Sequence, residues 1–502
     1  MLLSLGAWAL ASPVGATPDE DFHLASIWCG AGEREGLCAP GSVDDNRMIP
    51  DKIEDSICYA HEPSKGAGCQ GETFDDSGYE LVDSRRVNSN GQYPTGFYFW
   101  NAVFASDNLA VSTLLVRGAQ ALLFTVLSVS LWNLLPRRNR PALLGGAAIT
   151  LVPLGMFLIP SANPSGWSIA SGVLLLPALV GFFTSSGWRA AALGGFAVLA
   201  ALLGLGSRGD SAAYTIVAVL AALVLTFEWS KRFLLRAVLP VGIMVASAVA
   251  FLTAGQTGLA LDGMTQAGTE GIPLRKLLYE NFVALPELFA GVLGQNFDGS
   301  AHSGLGWLDT RMPALVWVLT TFVFAGVVLA AIRQLGWRRT VALAGVALAA
   351  FAVPFYILYQ SHVFVGYQVQ PRYIMPLITI FAIVALTPTP AGPGTSVPRR
   401  VALTTPQYWL VAIVLSVANA VALFSNMRRY ITPGNFNLND VDWWWRSAPA
   451  PMLVWFVGAA AFAALAALLV VALQRNRAAQ SLLEDAGTPR PATNLDNSEV
   501  TA

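Results

Sequence analysis

Long apolar runs alternate along the chain with short polar connections rich in arginine. Runs lie near 109–135, 142–160, 166–186, 190–206, 212–228, 236–254, 312–332, 340–358, 373–387, 408–425 and 450–473. A helix needs roughly 20 apolar residues to cross a hydrocarbon core of ~30 Å. With a shorter run at 2–12, the pattern predicts an all-α polytopic membrane protein of about eleven or twelve transmembrane helices. Cations concentrate in alternate connections: Arg137, Arg138 and Arg140; Arg189; Lys231, Arg232 and Arg236; Arg333, Arg338 and Arg339; Arg399 and Arg400; Arg475 and Arg477. The excess of cations in cytoplasmic loops makes this set cytoplasmic and puts residues 17–108 on the extracytoplasmic side of a cell (inner or plasma) membrane. Residues 1–16 have two readings: a signal-like segment with a small-residue cleavage site near Ala16, or a short first transmembrane segment.

Composition agrees with the pattern. The 502 residues are 54% hydrophobic and 12% charged, with a mean hydropathy of +0.54, whereas soluble chains carry about a quarter charged residues. The net charge of −1 gives no sign of a nucleic-acid partner. Neither a Walker phosphate loop nor a glycine-rich dinucleotide fingerprint occurs, which argues against an ATP-driven pump and against a nucleotide-activated donor.

Between the runs lie two long exported segments. The first, 17–108, holds all four cysteines: Cys29, Cys38, Cys58 and Cys69. An oxidising compartment makes disulfides the expected state, with the local pairs Cys29–Cys38 and Cys58–Cys69 favoured; the rival is a zinc site using Cys58 and His61. The second, 255–311, contains Leu274, Leu277, Leu278, Phe282, Leu285, Leu288, Phe289 and Val292 at helical spacing, with Pro286 among them. That spacing predicts an amphipathic helix, resting on the outer leaflet or packed on the bundle. Transmembrane helices fill 109–254 and 312–473, with shorter exported loops at 359–372 and 426–449. Pro388–Pro398 reads as a flexible cytoplasmic linker and 474–502 as a disordered cytoplasmic tail.

Candidate chemistry clusters at the start of the first exported segment, in Thr17-Pro18-Asp19-Glu20-Asp21-Phe22-His23. Thr17 and Glu20 have capping-box spacing, with Pro18 at the favoured first helical position. The same carboxylates could deprotonate an acceptor hydroxyl. Arg117 lies inside an apolar run, where an unpaired charge is expensive, so it should face the bundle interior and meet an anion. Arg208 and Asp210 fall at a tight turn, and Arg372 and Tyr373 where a run begins; guanidinium groups at headgroup level suit a phosphate. The aromatic clusters Phe97–Trp100 and Trp443–Trp445 read as interfacial belts or as sugar-stacking platforms. His302 and His362 read as loop residues.

The acidic segment resembles the first-loop motif of GT-C-type membrane glycosyltransferases. The chain is similar to an uncharacterised, largely bacterial family of polytopic membrane proteins grouped with that fold. Besides Pro18–His23, the resemblance rests on Tyr93–Tyr98, Arg117, Ser207–Asp210, Gly304–Thr310 and Tyr367–Tyr373, in that order over residues 17 to 473. It implies transfer of a sugar from a lipid-linked polyprenyl-phosphate donor to an envelope glycan or other exported acceptor. Asp19 would be the catalytic base and Glu20 the second choice. Arg372, with Arg208 or Arg117, would hold the phosphate, and Asp21, His23, Asp210 and Tyr373 would complete the binding set. Some relatives of that fold use a divalent metal; the sequence neither requires nor excludes one. Two features depart from the pattern, a short first helix and the cysteine-bearing insert. A carrier or flippase for lipid-linked saccharides and a non-catalytic membrane scaffold are the alternatives.

Overall fold

The chain, seen in a computed structural model, is described for residues 1–71, 74, 76–255, 271–296, 304–333, 335–366, 369–388, 403–432, 443–446 and 448–487, the last eleven of these by backbone alone. His302, Tyr367, Gln368, nearly all of the linker and residues 488–502 lie outside the described residues. Among those described, nine helices are long and apolar enough to cross a membrane. In chain order the helices are α1 Leu2–Leu10, α2 Glu20–Trp28, α3 Asp51–Asp55, α4 Gly96–Asn101, α5 Leu109–Leu134, α6 Arg140–Thr150, α7 Leu154–Leu158, α8 Ser165–Thr184, α9 Gly187–Leu205, α10 Gly209–Thr226 and α11 Lys231–Thr253. They continue with α12 Leu274–Val292, α13 Ala314–Ile332, α14 Trp337–Ser361, α15 Pro371–Leu386, α16 Thr405–Ile431 and α17 Pro451–Gly487. The nine spans are α5, α8 to α11, α13, α14, α16 and the first part of α17. The protein is therefore a multi-pass membrane protein.

Helix starts follow local chemistry. Asn108 accepts from the Val111 N–H at the head of α5, Ser230 from Phe233 at α11, and Thr404 forms a capping box with Gln407 at α16. Two predicted spans come out differently. The run 142–160 is split into α6 and α7 around Pro153, which lacks the donor an unbroken helix would need. Residues 151–163 are all buried by other helices, and irregular backbone is tolerated at membrane depth only where protein surrounds it. The 16-residue α15 is similarly enclosed: it packs against α6, α8, α12 and α14. At α8 a methyl group on Gly172 would lie 3.1 Å from Pro376 Cα, so a glycine lets α8 and α15 approach closely. Within α8, 89% of the span is buried inside the protein, against 17% for α17, 22% for α11 and 28% for α14. The bundle centre is α8 and α15, and α11, α14 and α17 face outward.

The amphipathic α12 packs on α15 and α14 through Leu277, Leu285 and Leu288, which favours the bundle-packing alternative for that face; Tyr279, Phe282 and Val283 are exposed. The first loop carries a three-stranded antiparallel sheet, β1 Ala39–Pro40, β2 Arg47–Pro50 and β3 Leu81–Ser84, in that order. Its cysteines form the local pairs Cys29–Cys38 and Cys58–Cys69. The zinc alternative is thereby corrected, because Cys58 spends its sulfur on Cys69.

At the centre of the molecule, between α1 and α2, the chain runs without regular structure from Ala11 to Asp19, and all of it but Asp19 is buried. Buried carbonyls without partners are costly, and here every one from Ala9 to Pro18 has a donor. Arg117 donates to Ala9, Ser12 and Pro13. Trp445 and Trp444 donate to Leu10, Asn426 to Ala11, Tyr59 and Gln70 to Val14, and Trp307 to Gly15. Tyr430 reaches Ala16, the Glu20 N–H meets Thr17, and Asn163 and Arg372 share Pro18. Trp444 and Trp445 are thus pins for this segment rather than a membrane belt. Ala16 is fully buried, and residues 1–16 pack as a short helix followed by a hub that the surrounding helices grip.

Candidate functional site

The hub ends by aiming the acidic segment. Asp19 is the N-cap of α2 and adopts a left-handed backbone, φ 58°, a conformation that Asp tolerates better than most residues. The expected capping box is only half formed. Glu20 Oε2 accepts from the Thr17 N–H at 2.9 Å, while the Thr17 hydroxyl has no partner and Pro18 precedes the helix instead of opening it.

The carboxylates of this segment then go to different places. Glu20 is buried and both its oxygens meet Arg117 Nη2, at 3.0 and 3.1 Å. Arg117 has therefore found its anion inside the protein. Asp21 is buried against Arg86, which engages it through Nε and, at 2.8 Å, through Nη2. Asp19 alone keeps an open side. Its Oδ2 accepts from Arg372 Nη2 at 2.8 Å and its Oδ1 is 3.6 Å from Arg86, yet its side chain remains 37% exposed. That exposed face lines a cavity. Burial alone would raise the Asp19 carboxyl; Arg372, His23 and Arg86 together outweigh it and hold the group at about 2.

The cavity encloses about 600 Å³. At one end it is polar, lined by Asp19, Arg86, Tyr93, Arg208, Asp210, Tyr214 and Tyr373. Arg208 grips Asp210 through two parallel bonds of 2.9 and 3.0 Å, and its guanidinium lies 4.4 Å from the centre of the Tyr373 ring. Arg372 lies 5.0 Å from the same ring and bonds its hydroxyl at 3.0 Å. Arg372 is behind Asp19 and does not line the cavity, and its Nε is a buried donor without a partner. His23 is likewise one layer back, bonded through Nδ1 to the Tyr98 hydroxyl at 2.9 Å. Its burial lowers it to about 3, so at neutral pH the ring is uncharged. Burial pushes the Tyr93 hydroxyl up to about 12 against the pull of Arg208, leaving it a proton donor.

The other end of the cavity is apolar. Phe251 of α11, Val353, Pro354 and Ile357 of α14, and Ile374 of α15 form it. The α11 and α14 spans are among those least covered by protein, so this wall is built largely by peripheral helices of the bundle.

Of the residues picked out in sequence, Asp19, Arg208, Asp210 and Tyr373 line one cavity; Asp21, His23 and Arg372 back it; Glu20 and Arg117 lie in the hub. Arg86, Tyr93 and Tyr214 were missed as candidates. Arg86 follows β3 in a polar insert, and nothing in Ser84-Arg85-Arg86-Val87 marks a cation that will reach across 65 positions to Asp21. Among the described residues no group of three or more His, Cys, Asp or Glu side chains is placed to hold a metal ion.

The chain belongs to the DUF2142 family, described as predicted membrane proteins: the family's profile matches residues 2–381, which include every charged residue of the cavity. No curated protein matches the chain.

Proposed function

We propose that this DUF2142 protein is a membrane glycosyltransferase that moves a sugar from a polyprenyl-phosphate donor to an envelope glycan or other extracytoplasmic acceptor, with Asp19 as the base. The observation that carries this reading is the cavity itself. Two guanidinium groups, Arg86 and Arg208, and two carboxylates, Asp19 and Asp210, line a slot whose apolar wall is built by the peripheral helices α11 and α14. That is the shape of an amphiphile with an anionic head. The arginine-rich connections on the opposite face, which favour an extracytoplasmic site, and the ordered motifs that resemble GT-C-type enzymes support the same reading.

In the proposed step, an acceptor hydroxyl oxygen bonds to the anomeric carbon while the bond from that carbon to the phosphate oxygen breaks. The bonding pair leaves with the phosphate, and the hydroxyl proton passes to Asp19. Arg208 and Arg86 stabilise the charge that develops on the leaving phosphate. A phosphate leaving group needs no strong acid, so one base suffices.

A carboxyl held at about 2 is a weak base, and the electrostatics suggest how it becomes a stronger one. Around the site Arg86, Arg208 and Arg372 are balanced by Asp19, Asp21 and Asp210. An arriving phosphate adds a negative charge and competes for the same guanidinium groups. Both effects raise the proton affinity of Asp19. Donor binding thus prepares the base. Glu20, saturated by Arg117 and the Thr17 N–H, has no part in this chemistry. The same saturation counts against using Arg117 on a moving cargo, as a carrier would.

The test is envelope glycan composition in a deletion strain rescued with wild type or Asp19→Asn at matched abundance. Wild type restores a missing sugar and Asp19→Asn leaves it absent. Full rescue by Asp19→Asn would remove the base and, with it, the transferase.

A further inference from the structure

A second, smaller cavity lies on the far side of Asp19. It encloses about 240 Å³ and is lined by His61, Trp307, Leu308, Gly366 and Gln370 together with Asp19. Among the described residues Asp19 is the one common to the two cavities.

Backbone strain gathers here. Among the described residues four that are not glycine have positive φ: Asp19, His61, Leu308 and His362. Three of them, at 58°, 64° and 60°, line this small cavity. Left-handed backbone at such residues persists only where the surroundings over-determine it, and it clusters at functional sites. The surroundings do so. The turn carrying His61 is closed by Cys58–Cys69, and Arg429 clamps the carbonyls of Tyr59, Glu62 and Lys65 around it. Leu308 is in a turn closed by the Leu305–Thr310 bridge, where Gly304 is required because a methyl group would lie 2.1 Å from the Thr310 carbonyl oxygen. Arg429 also pairs with Asp309 at 2.9 Å, and Trp307 is pinned to the Gly15 carbonyl at 2.8 Å. Three distant segments are thus bent against their preference to make one wall.

The chemistry of that wall differs from the first cavity. Among the described residues its lining holds no arginine or lysine. It offers the Trp307 indole, with the His61 ring edge-on at 5.3 Å, and the side-chain oxygen of Gln370, buried with no hydrogen-bond partner. An unsatisfied acceptor beside an aromatic ring suits a neutral hydroxylated ring. The volume suits one such ring and not a lipid chain.

We infer that the small cavity is the acceptor site, taking a neutral saccharide ring against Trp307, with one hydroxyl donating to Gln370 Oε1 and the reacting hydroxyl donating to Asp19. This rests on the transferase reading above: the donor's anomeric carbon approaches from the arginine-bearing cavity and the acceptor oxygen from the smaller one, with Asp19 between them. The cysteine-bearing insert, through His61, helps choose the acceptor.

The full-length protein in lipid nanodiscs is tested for retention of polyprenyl phosphate by native mass spectrometry, and the same variants are tested for restoring the envelope sugar in the deletion strain. Gln370 has an extended backbone and is the N-cap of α15, so Gln370→Trp can fill the cavity and Gln370→Ala can remove the acceptor oxygen. Both variants are expected to retain polyprenyl phosphate at the wild-type level. Gln370→Trp abolishes sugar transfer, and Gln370→Ala lowers it about three- to tenfold. Wild-type transfer by Gln370→Trp would overturn the acceptor site. So would loss of polyprenyl phosphate from Gln370→Ala, because the residue would then serve the donor side or the fold. If wild type neither retains the lipid nor restores a sugar, the transferase reading fails first and the acceptor site with it.

Discussion

Asp19 and Glu20 are neighbours in the chain, Glu20 paired with Arg117 and Asp19 chiefly with Arg372 and more distantly with Arg86, and the two arrangements are built for opposite purposes. The Glu20–Arg117 pair is sealed: both side chains are almost fully buried, and Arg117 spends its remaining bonds on three hub carbonyls. Neither partner can change hands. The Asp19–Arg372 pair is open on one side, with the carboxylate facing two cavities. A ligand anion can compete for it. The difference comes from one step of backbone: Asp19 in left-handed conformation turns its side chain outward, and Glu20, the first residue of α2, turns inward. A charged residue at membrane depth is thus not by itself a sign of chemistry; the sign is a pair that has been left accessible.

The sharpest way to break this comparison is to unpair the sealed side. Removing one partner of a buried ion pair typically costs about 3–5 kcal/mol, so Glu20→Gln should lower the thermal midpoint and the yield of detergent-solubilised protein severely. Glu20→Met with Arg117→Met should recover only part of the loss, because the carbonyls of Ala9, Ser12 and Pro13 stay without their donor. Asp19→Asn, in contrast, keeps a residue that accepts left-handed backbone and an oxygen that can still accept from Arg372, and it should cost clearly less than Glu20→Gln. Equal destabilisation by Glu20→Gln and Asp19→Asn would erase the distinction.

A smaller effect is expected at the insert. Replacing Cys58 and Cys69 together by serine releases a short loop, a change worth about 2–4 kcal/mol at most. Arg429 still holds the Tyr59, Glu62 and Lys65 carbonyls, so the protein should fold and keep polyprenyl phosphate while sugar transfer falls. Unchanged transfer would detach the insert from the acceptor side.

How much of this was legible in the sequence depends on the range over which each feature is specified. The spans were legible because hydropathy is local, and so were the two disulfides, each closing a short loop. The acidic segment, Arg208 and Arg372 stood out as charges at the edge of apolar runs. The break in 142–160 could have been foreseen from Pro153, Pro160 and Pro164, but its purpose, bringing Asn163 to the Pro18 carbonyl, could not. The hub was invisible for the same reason. Its carbonyls are met by side chains from Tyr59 to Trp445, and nothing in an alanine, a serine or a proline announces a partner hundreds of positions away. Arg86 was missed because a cation in a polar insert looks ordinary. The strain at His61 and Leu308 was missed because neither is the residue a left-handed turn would select.

The finest test separates two protons behind the cavity. His23 is fully buried, faces Asp19, Arg372, Arg208 and Arg86, and is lowered to about 3 chiefly by burial. Its unfolded value is about 6.5, so between these limits the unfolded chain carries the extra proton. Stability from this group is complete above about pH 6.5 and drains away as pH falls towards 3. Asp19, at about 2 in the fold against about 3.9 unfolded, has the same sign in a lower window: its share is complete above about pH 4 and is lost towards pH 2. Thermal midpoints measured against pH should therefore show His23→Gln flattening the upper part of the acid limb and Asp19→Asn only the lower part. Added polyprenyl phosphate sharpens the test. If the lipid's anion competes with Asp19 for its arginines, the Asp19-dependent part of the curve shrinks and moves to higher pH, since the carboxyl then protonates more easily. If the wild-type curve and the Asp19→Asn curve keep the same separation with and without the lipid, the open pair is as closed to ligands as the sealed one, and Asp19 is a structural counter-ion.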